Sequence, residues 1–243
     1  SVIDDGGESL DEASVGGADL VYLAAPVGAI LSFLRTRGGA LKSGAIITDA
    51  GSTKREICRA ARESLPEQVS FVGGHPMAGS ERAGVEFADA NLFSGAPYAL
   101  IASRNETEDA LRAMTEVVEG IGAHPVILTA EQHDHIAARI SHVPQLLSTA
   151  LALAASKAPQ PEALRMAGSG FAEAARLAES SWSVWEDICR SNADEISSAL
   201  DEAVAEIEAV QAAVLSRDFS ALGEMFEKAA ELMRRFHDVR RDR

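Results

Sequence analysis

The stretch Ala18-Asp19-Leu20-Val21-Tyr22-Leu23-Ala24-Ala25-Pro26-Val27 decides the fold class. Its apolar residues run on without alternating with polar ones. A strand with one wet face alternates, so this run predicts a strand buried on both faces, the habit of parallel sheets. Pro26 ends it, having no N–H to give to a ladder, and Val27 to Arg37 carries helical spacing. Further runs follow the same grammar. Ala45-Ile46-Ile47-Thr48-Asp49 reads as a second strand, followed by the turn Ala50-Gly51-Ser52-Thr53-Lys54 and a helix over Thr53 to Leu65. Gln68 to Val72 leads a third strand into Gly73-Gly74-His75. Tyr98 to Ala102 is a fourth, Thr107 to Ile121 a helix, and Pro125 to Thr129 a fifth strand. Strand and helix alternate, which predicts an α/β domain with a doubly wound parallel sheet.

Beyond Thr129 the grammar changes. Ala- and Leu-rich stretches at helical spacing replace the strands: Ala130 to Ser156, bent near Pro144, then Ser181 to Asn192, Asp194 to Ser216 and Phe219 to Val239. Pro159, Pro161 and Gly168-Ser169-Gly170 interrupt the pattern. In the last helix Phe219, Leu222, Met225, Phe226, Ala229, Leu232, Met233 and Phe236 recur every three or four residues. Such a stripe is core, and part of that core is expected to lie between two copies of the chain. Residues 1–129 therefore read as an α/β domain and 130–243 as an all-α one. Ser1 to Gly17 is acidic and glycine-rich, with one short helix expected around Ser9 to Val15.

A net charge of −15 over 243 residues, from 37 acidic and 22 basic side chains, argues against nucleic acid as a partner. It leaves room for a small anion gripped by a local arginine. No run is long and apolar enough to cross a bilayer and no signal sequence opens the chain. Cys58 and Cys189 lie far apart and read as reduced thiols, so the expected setting is the cytoplasm. His133 and His135, two apart, do not share a helix face, and no metal site is expected.

The third strand runs into Gly73-Gly74-His75-Pro76-Met77-Ala78-Gly79-Ser80-Glu81. The glycines read as a sharp turn at the strand's end, and Pro76 biases His75 toward an extended backbone. An imidazole fixed there stands where open α/β sheets bind ligands. A dinucleotide-binding sheet should also carry a G-x-G-x-x-G turn opening a helix. None is present: Gly16-Gly17 and Gly38-Gly39 have the wrong spacing.

This histidine run, followed by Asn91-Leu92-Phe93, resembles the signature of the prephenate and arogenate dehydrogenases of tyrosine biosynthesis. Asp19-Leu20-Val21 through Val27 is similar to that family's central strand, and Asp49-Ala50-Gly51-Ser52-Thr53-Lys54 to its D-x-G-S-x-K turn. His133-Asp134, Ser141-His142-Val143-Pro144, Gly168-Ser169-Gly170-Phe171, Arg176 and Trp185 follow in family order. The resemblance spans essentially the whole chain, and it implies that 1–129 is a partial Rossmann, dinucleotide-binding domain and 130–243 a helical substrate and dimerisation domain. It also implies that the family's first strand and glycine-rich turn lie upstream of Ser1, a βαβ start of roughly 30 residues.

The resemblance further implies an NAD-dependent oxidative decarboxylation, NADP not being excluded. Prephenate is oxidised to 4-hydroxyphenylpyruvate, with arogenate as the alternative substrate, by a homodimer. His75 would accept the hydroxyl proton, and Ser52 would bond the same hydroxyl or His75. From its position alone Ser52 reads equally well as a helix N-cap. Arg176 would grip a substrate carboxylate, Glu81 would gate the site, and His133 and Asp134 would order the cleft. Gln145 stands near the substrate where the family often carries His, and Ser169 where a third glycine is common. Ala25, Pro26, Val27 and Gly51 would line the cofactor. Two other readings stay open: a non-catalytic dimeric remnant, motivated by the absent glycine turn, and another Rossmann enzyme such as a β-hydroxyacid dehydrogenase. The His-Pro-Met-Ala-Gly-Ser-Glu run argues against the last.

Overall fold

The computed structural model describes residues 15–79, 85–102, 107–158 and 161–241. Five strands lie side by side in chain order: β1 (Leu20–Leu23), β2 (Ile46–Asp49), β3 (Ser70–Pro76), β4 (Pro97–Ile101) and β5 (His124–Leu128). β1, β2 and β3 are parallel, joined by α1 (Val27–Arg37) and α2 (Arg55–Ser64). These two helices seal one face: Ile30, Leu34, Ile57 and Ala61 pack on Leu23, Ile47 and Phe71. α3 (Glu108–Gly120) seals the other, setting Ala110, Met114 and Val118 against Val72, Tyr98 and Leu100. Thr107 starts α3 by accepting the N–H of Ala110 at 3.1 Å.

Helices cover both faces as expected, but the sheet is mixed rather than wholly parallel. β4 runs antiparallel to β3, with His75 opposite Ala99, while β5 is again parallel to β4. A parallel return requires a crossover of a dozen residues or more, usually a helix. Between β3 and β4 the described residues hold only the 3₁₀ turn Val85–Phe87. β1 also departs from expectation, since Leu20 and Tyr22 are about two-fifths exposed. α3 packs on β3, β4 and β5 rather than on β1.

The glycine pair turns out to lie inside β3, where it turns nothing. What demands glycine is crowding: a Cβ on Gly74 would stand 2.4 Å from the carbonyl oxygen of Asp49. β3 must run almost against the end of β2.

From Ala130 the described chain is helical. α4 (Ala130–Ala137) opens with a reciprocal capping box between Thr129 and Gln132. A π-turn, Ala138–His142, joins it to α5 (Val143–Ala155), so the bend expected near Pro144 is a π-bulge just before it. α6 (Glu162–Met166), α7 (Ser169–Ala175) and a 3₁₀ turn, Arg176–Glu179, fill the stretch where the sequence showed only breaks. α8 (Trp182–Ser191) and α9 (Ala193–Ser216) follow. Arg217, at φ 55°, reverses the chain into α10 (Phe219–Arg241). The short helix expected around Ser9 to Val15 lies largely outside the described residues, as do Ser80 and Glu81.

Candidate active site

The carboxyl ends of β2 and β3 meet through two side chains withdrawn from water. Lys54 and Asp49 form an ion pair in which neither side chain is exposed. Asp49 also accepts the N–H of Gly51 at 2.8 Å and of Gly74 at 3.1 Å, and Lys54 donates to the Gly74 carbonyl at 2.6 Å. Buried charges persist only where paired and hydrogen-bonded. Here the pair staples the turn that carries Ser52 to the strand that carries His75. The sequence signalled it weakly, as two opposite charges flanking a glycine turn.

His75 sits 8% exposed at the end of β3. Its Nδ1 lies 2.8 Å from Nε2 of His133, and His133 Nδ1 lies 2.8 Å from Asp134 Oδ1. Asp134 comes from the first turns of α4, yet it caps α2. Its Oδ1 accepts the Lys54 N–H at 2.7 Å, and its Oδ2 the Arg55 N–H at 2.9 Å and the Arg55 Nε–H at 3.3 Å. The N-cap residue Lys54 offers α2 no side-chain cap, so the capping role open to Ser52 is filled by Asp134 instead. Ser52 itself is half-buried in the turn.

The electrostatics follow from this packing. Burial pushes the proton affinity of His75 well below its ordinary value, and His133, Lys54 and His142 push the same way. Burial would lift the carboxyl of Asp134. The bonds from His133 and from the backbone of Arg55 and Lys54 outweigh it and hold Asp134 below its ordinary value. His142 falls to about 4, mainly through burial, against the pull of the Asp134 carboxylate. The neutral imidazoles of His75 and His142 therefore stand with the Asp134 carboxylate near neutral pH.

His142 and Asn192 are the residues whose part the sequence left unassigned. The π-turn points His142 inward, edge-on to Trp185 with ring centroids 5.9 Å apart. Asn192, fully buried, donates to the Asp134 carbonyl at 2.9 Å and lies 3.3 Å from His142 Nδ1. His142 Nε2 is buried with no hydrogen-bond partner among the described residues. Only the Ser-His-Val-Pro order hinted at it, since the sequence does not show which way a π-turn aims its side chains.

Gln145 is buried and spends its amide on the turn beyond α7. Its Nε2 donates to the Leu177 carbonyl at 2.6 Å, and its Oε1 accepts from Ser180 Oγ at 3.1 Å. It therefore braces the turn that bears the exposed Arg176. Ser169 is exposed at the start of α7. At the carboxyl end of β1, Ala24, Ala25 and Pro26 are exposed and Val27 is buried. Small side chains there leave the backbone open to a flat ring, which fits the nicotinamide end of a dinucleotide. Gly51 is buried, and its N–H goes to Asp49. The helical half reaches this edge too: Asp187 accepts the Gly28 N–H at 2.8 Å, and Ser191 meets Thr53 at 2.7 Å.

Comparison with known proteins matches this architecture on both halves. Residues 1–138 match the model of the prephenate dehydrogenase nucleotide-binding domain, and 129–228 that of the prephenate dehydrogenase dimerization domain. A prephenate dehydrogenase of Bacillus subtilis is 34% identical over 95% of this chain and 62% of its own length. A cyclohexadienyl dehydrogenase of Zymomonas mobilis is 31% identical over 92% of this chain and 78% of its own. The chain spans about three-fifths of the length of the Bacillus protein and of a Lactococcus lactis prephenate dehydrogenase, 62% and 60%. Among solved structures, an A. aeolicus prephenate dehydrogenase in complex with hydroxyphenyl propionate and NAD+ superposes with a TM-score of 0.86 at 26% identity, covering 96% of this chain and 81% of that one. A Synechocystis arogenate dehydrogenase gives 0.82 at 25%, covering 93% and 82%.

Proposed function

Since this chain belongs to the prephenate dehydrogenase family, we propose that it performs the NAD-dependent oxidative decarboxylation of prephenate to 4-hydroxyphenylpyruvate, a step toward tyrosine. The observation that carries the reading is His75, a buried imidazole kept neutral at the carboxyl end of β3. Oxidising the ring carbinol requires a group to take the hydroxyl proton, and a neutral imidazole does this near neutral pH. NAD, when bound, would supply the hydride acceptor.

The chain's own residues supply position and charge. His75 takes the proton. Ser52, relieved of helix capping, bonds the same hydroxyl. Arg176, on the turn braced by Gln145, grips a substrate carboxylate with its paired donors. His133 and Asp134 order the cleft, Ser169 opens the helix before Arg176, and Glu81 gates the entrance. Ala25, Pro26 and Val27 hold the nicotinamide, with Gly51 shaping the adjoining turn. As carbon dioxide leaves, the ring becomes aromatic, and no residue need stabilise a high-energy product.

The working form is a homodimer through the C-terminal helices. The family's dimerization domain matches there, and α10 buries none of its residues in the single chain. No described helix is long and apolar enough to cross a membrane. With Cys58 and Cys189 both unbridged, we assign the protein to the cytoplasm.

The test is NADH formation from prephenate, and separately from arogenate, by this chain and its His75→Asn variant. The variant should lose roughly 10²–10⁴-fold in kcat with KM little changed. Because the proton affinity of His75 is lowered, its basic form persists as the pH falls below 6.5. The acid limb of kcat/KM should therefore lie below that value. A fully active variant would overturn the assignment of His75. Failure of the chain to bind NAD or turn over either substrate would favour the reading as a non-catalytic dimeric remnant.

A further inference from the structure

We propose that Asp134 and His133 fix which nitrogen of His75 is the base, holding the proton on Nδ1 and leaving Nε2 as the acceptor, and that His133 receives the proton relayed through His75. The proposal rests on the role given to His75 above and adds two positioning residues to it.

The argument starts at Asp134. A carboxylate has about four lone-pair sites and, when ionised, only accepts. Lys54 N and His133 Nδ1 converge on Oδ1, and Arg55 N and Arg55 Nε on Oδ2. All four sites are used, two of them by the amino end of α2, where the helix dipole favours a negative charge. Asp134 is fully buried and locked as the anion.

The consequence travels outward one bond at a time. Facing an anion, His133 Nδ1 must carry a hydrogen. In the neutral ring Nε2 is then a lone pair, aimed at His75 Nδ1 2.8 Å away. Two lone pairs would repel at that distance, so His75 Nδ1 carries the hydrogen and its Nε2 is left bare. The reverse order would place a lone pair of His133 Nδ1 against the carboxylate.

The same chain has somewhere to put the charge. When Nε2 of His75 takes the substrate's hydroxyl proton, the Nδ1 proton can pass to His133 Nε2. No atom is gained or lost, and Asp134 remains a carboxylate. The positive charge then rests on His133 in direct contact with Asp134. On His75 it would face Lys54, which abuts the same strand end, and His142 from the π-turn. The other charged groups packed around the relay, Asp49 and Arg55, are already paired, with Lys54 and with Asp134 and Asp194.

The test reads the tautomer directly. Long-range ¹H–¹⁵N correlation spectra of the 243-residue chain, without substrate or cofactor, should show neutral His75 protonated at Nδ1, the minor form of a free histidine side chain. A proton on Nε2 would overturn the proposal, and this spectrum decides alone should a variant not fold. In His133→Leu, the His75 proton should move to Nε2, and kcat should fall roughly 10²–10⁴-fold, as when an imidazole is held in the wrong tautomer. KM should hold. In His133→Gln, whose Oε1 still accepts from Nδ1, the His75 tautomer should be kept and part of kcat restored. Unchanged tautomer and unchanged kcat in the Leu variant would also overturn it. Since the spectra need no turnover, the relay and the dehydrogenase reading fail separately.

Discussion

Lys54 meets Asp49 with neither side chain in contact with water, whereas Arg234 meets Glu231 with 65% and 59% of their side chains exposed. The two ion pairs mark two regions built on opposite terms. Around Asp49 the chain closes on itself. Charges are buried, and Gly51, Gly74 and the pair exchange hydrogen bonds among three segments. Along α10, by contrast, none of 23 residues is buried, and Phe219, Phe226 and Leu232 stand mostly exposed. A polar cluster folded inward is complete in one chain and fixes geometry. An apolar stripe left outward is unfinished in one chain and fits the association proposed above.

The comparison breaks most visibly at Lys54. Lys54→Met removes the cation but leaves Asp49 buried without its counter-charge, which typically costs about 3–5 kcal/mol. The Gly74 carbonyl loses a donor at the same stroke, next to His75. Denaturant unfolding should show a loss of that size, with kcat falling in whatever fraction stays folded. A loss below about 1 kcal/mol would mean that water reaches the pair and that the cluster is no staple.

At the other end, Phe226→Glu should act on association rather than on the fold. Phe226 is 71% exposed in the single chain, so the charge costs the monomer little. Within an apolar dimer contact, losing an aromatic anchor is worth about 2 kcal/mol or more, on the order of 30-fold in the dimer constant. Sedimentation across a dilution series reads this. An unchanged dimer would place the contact elsewhere and leave the α10 stripe unexplained.

The two regions also differ in how far the sequence discloses them. Strands and long helices are legible because burial repeats with a period, and α10 announces itself through Phe219, Leu222, Phe226 and Met233. Strand direction carries no such mark: β4 is an apolar run like β1, yet it lies antiparallel to β3. The glycines of β3 were legible as a constraint but not as its kind, since the atom that crowds Gly74 belongs to Asp49, 25 residues earlier. His75 could be singled out from its frame. The capping of α2 by Asp134 could not, because it joins positions 80 residues apart whose meeting depends on how α4 docks. Gln145, read as a neighbour of the substrate, braces Leu177 and Ser180, which only the docking of α7 reveals.

The smallest effect is the sharpest control. Arg234 and Glu231 are three residues apart on α10, bonded at 2.7 Å. By geometry this is a sound pair, with Nε and Nη2 of Arg234 both donating to Oε2 of Glu231. Yet water solvates both partners before and after they meet, each long side chain gives up rotamer freedom, and salt screens the attraction over a Debye length of about 10 Å at 0.1 M. Arg234→Ala should therefore cost no more than about 0.5 kcal/mol, fading further at high salt, as helical pairs at this spacing do. The measurement is a denaturant midpoint at two salt concentrations, with protein dilute enough to hold the monomer. A loss above about 1 kcal/mol that grows with protein concentration would show that Arg234 is covered by a second copy. The exposed charge would then belong, like the apolar stripe beside it, to the interface.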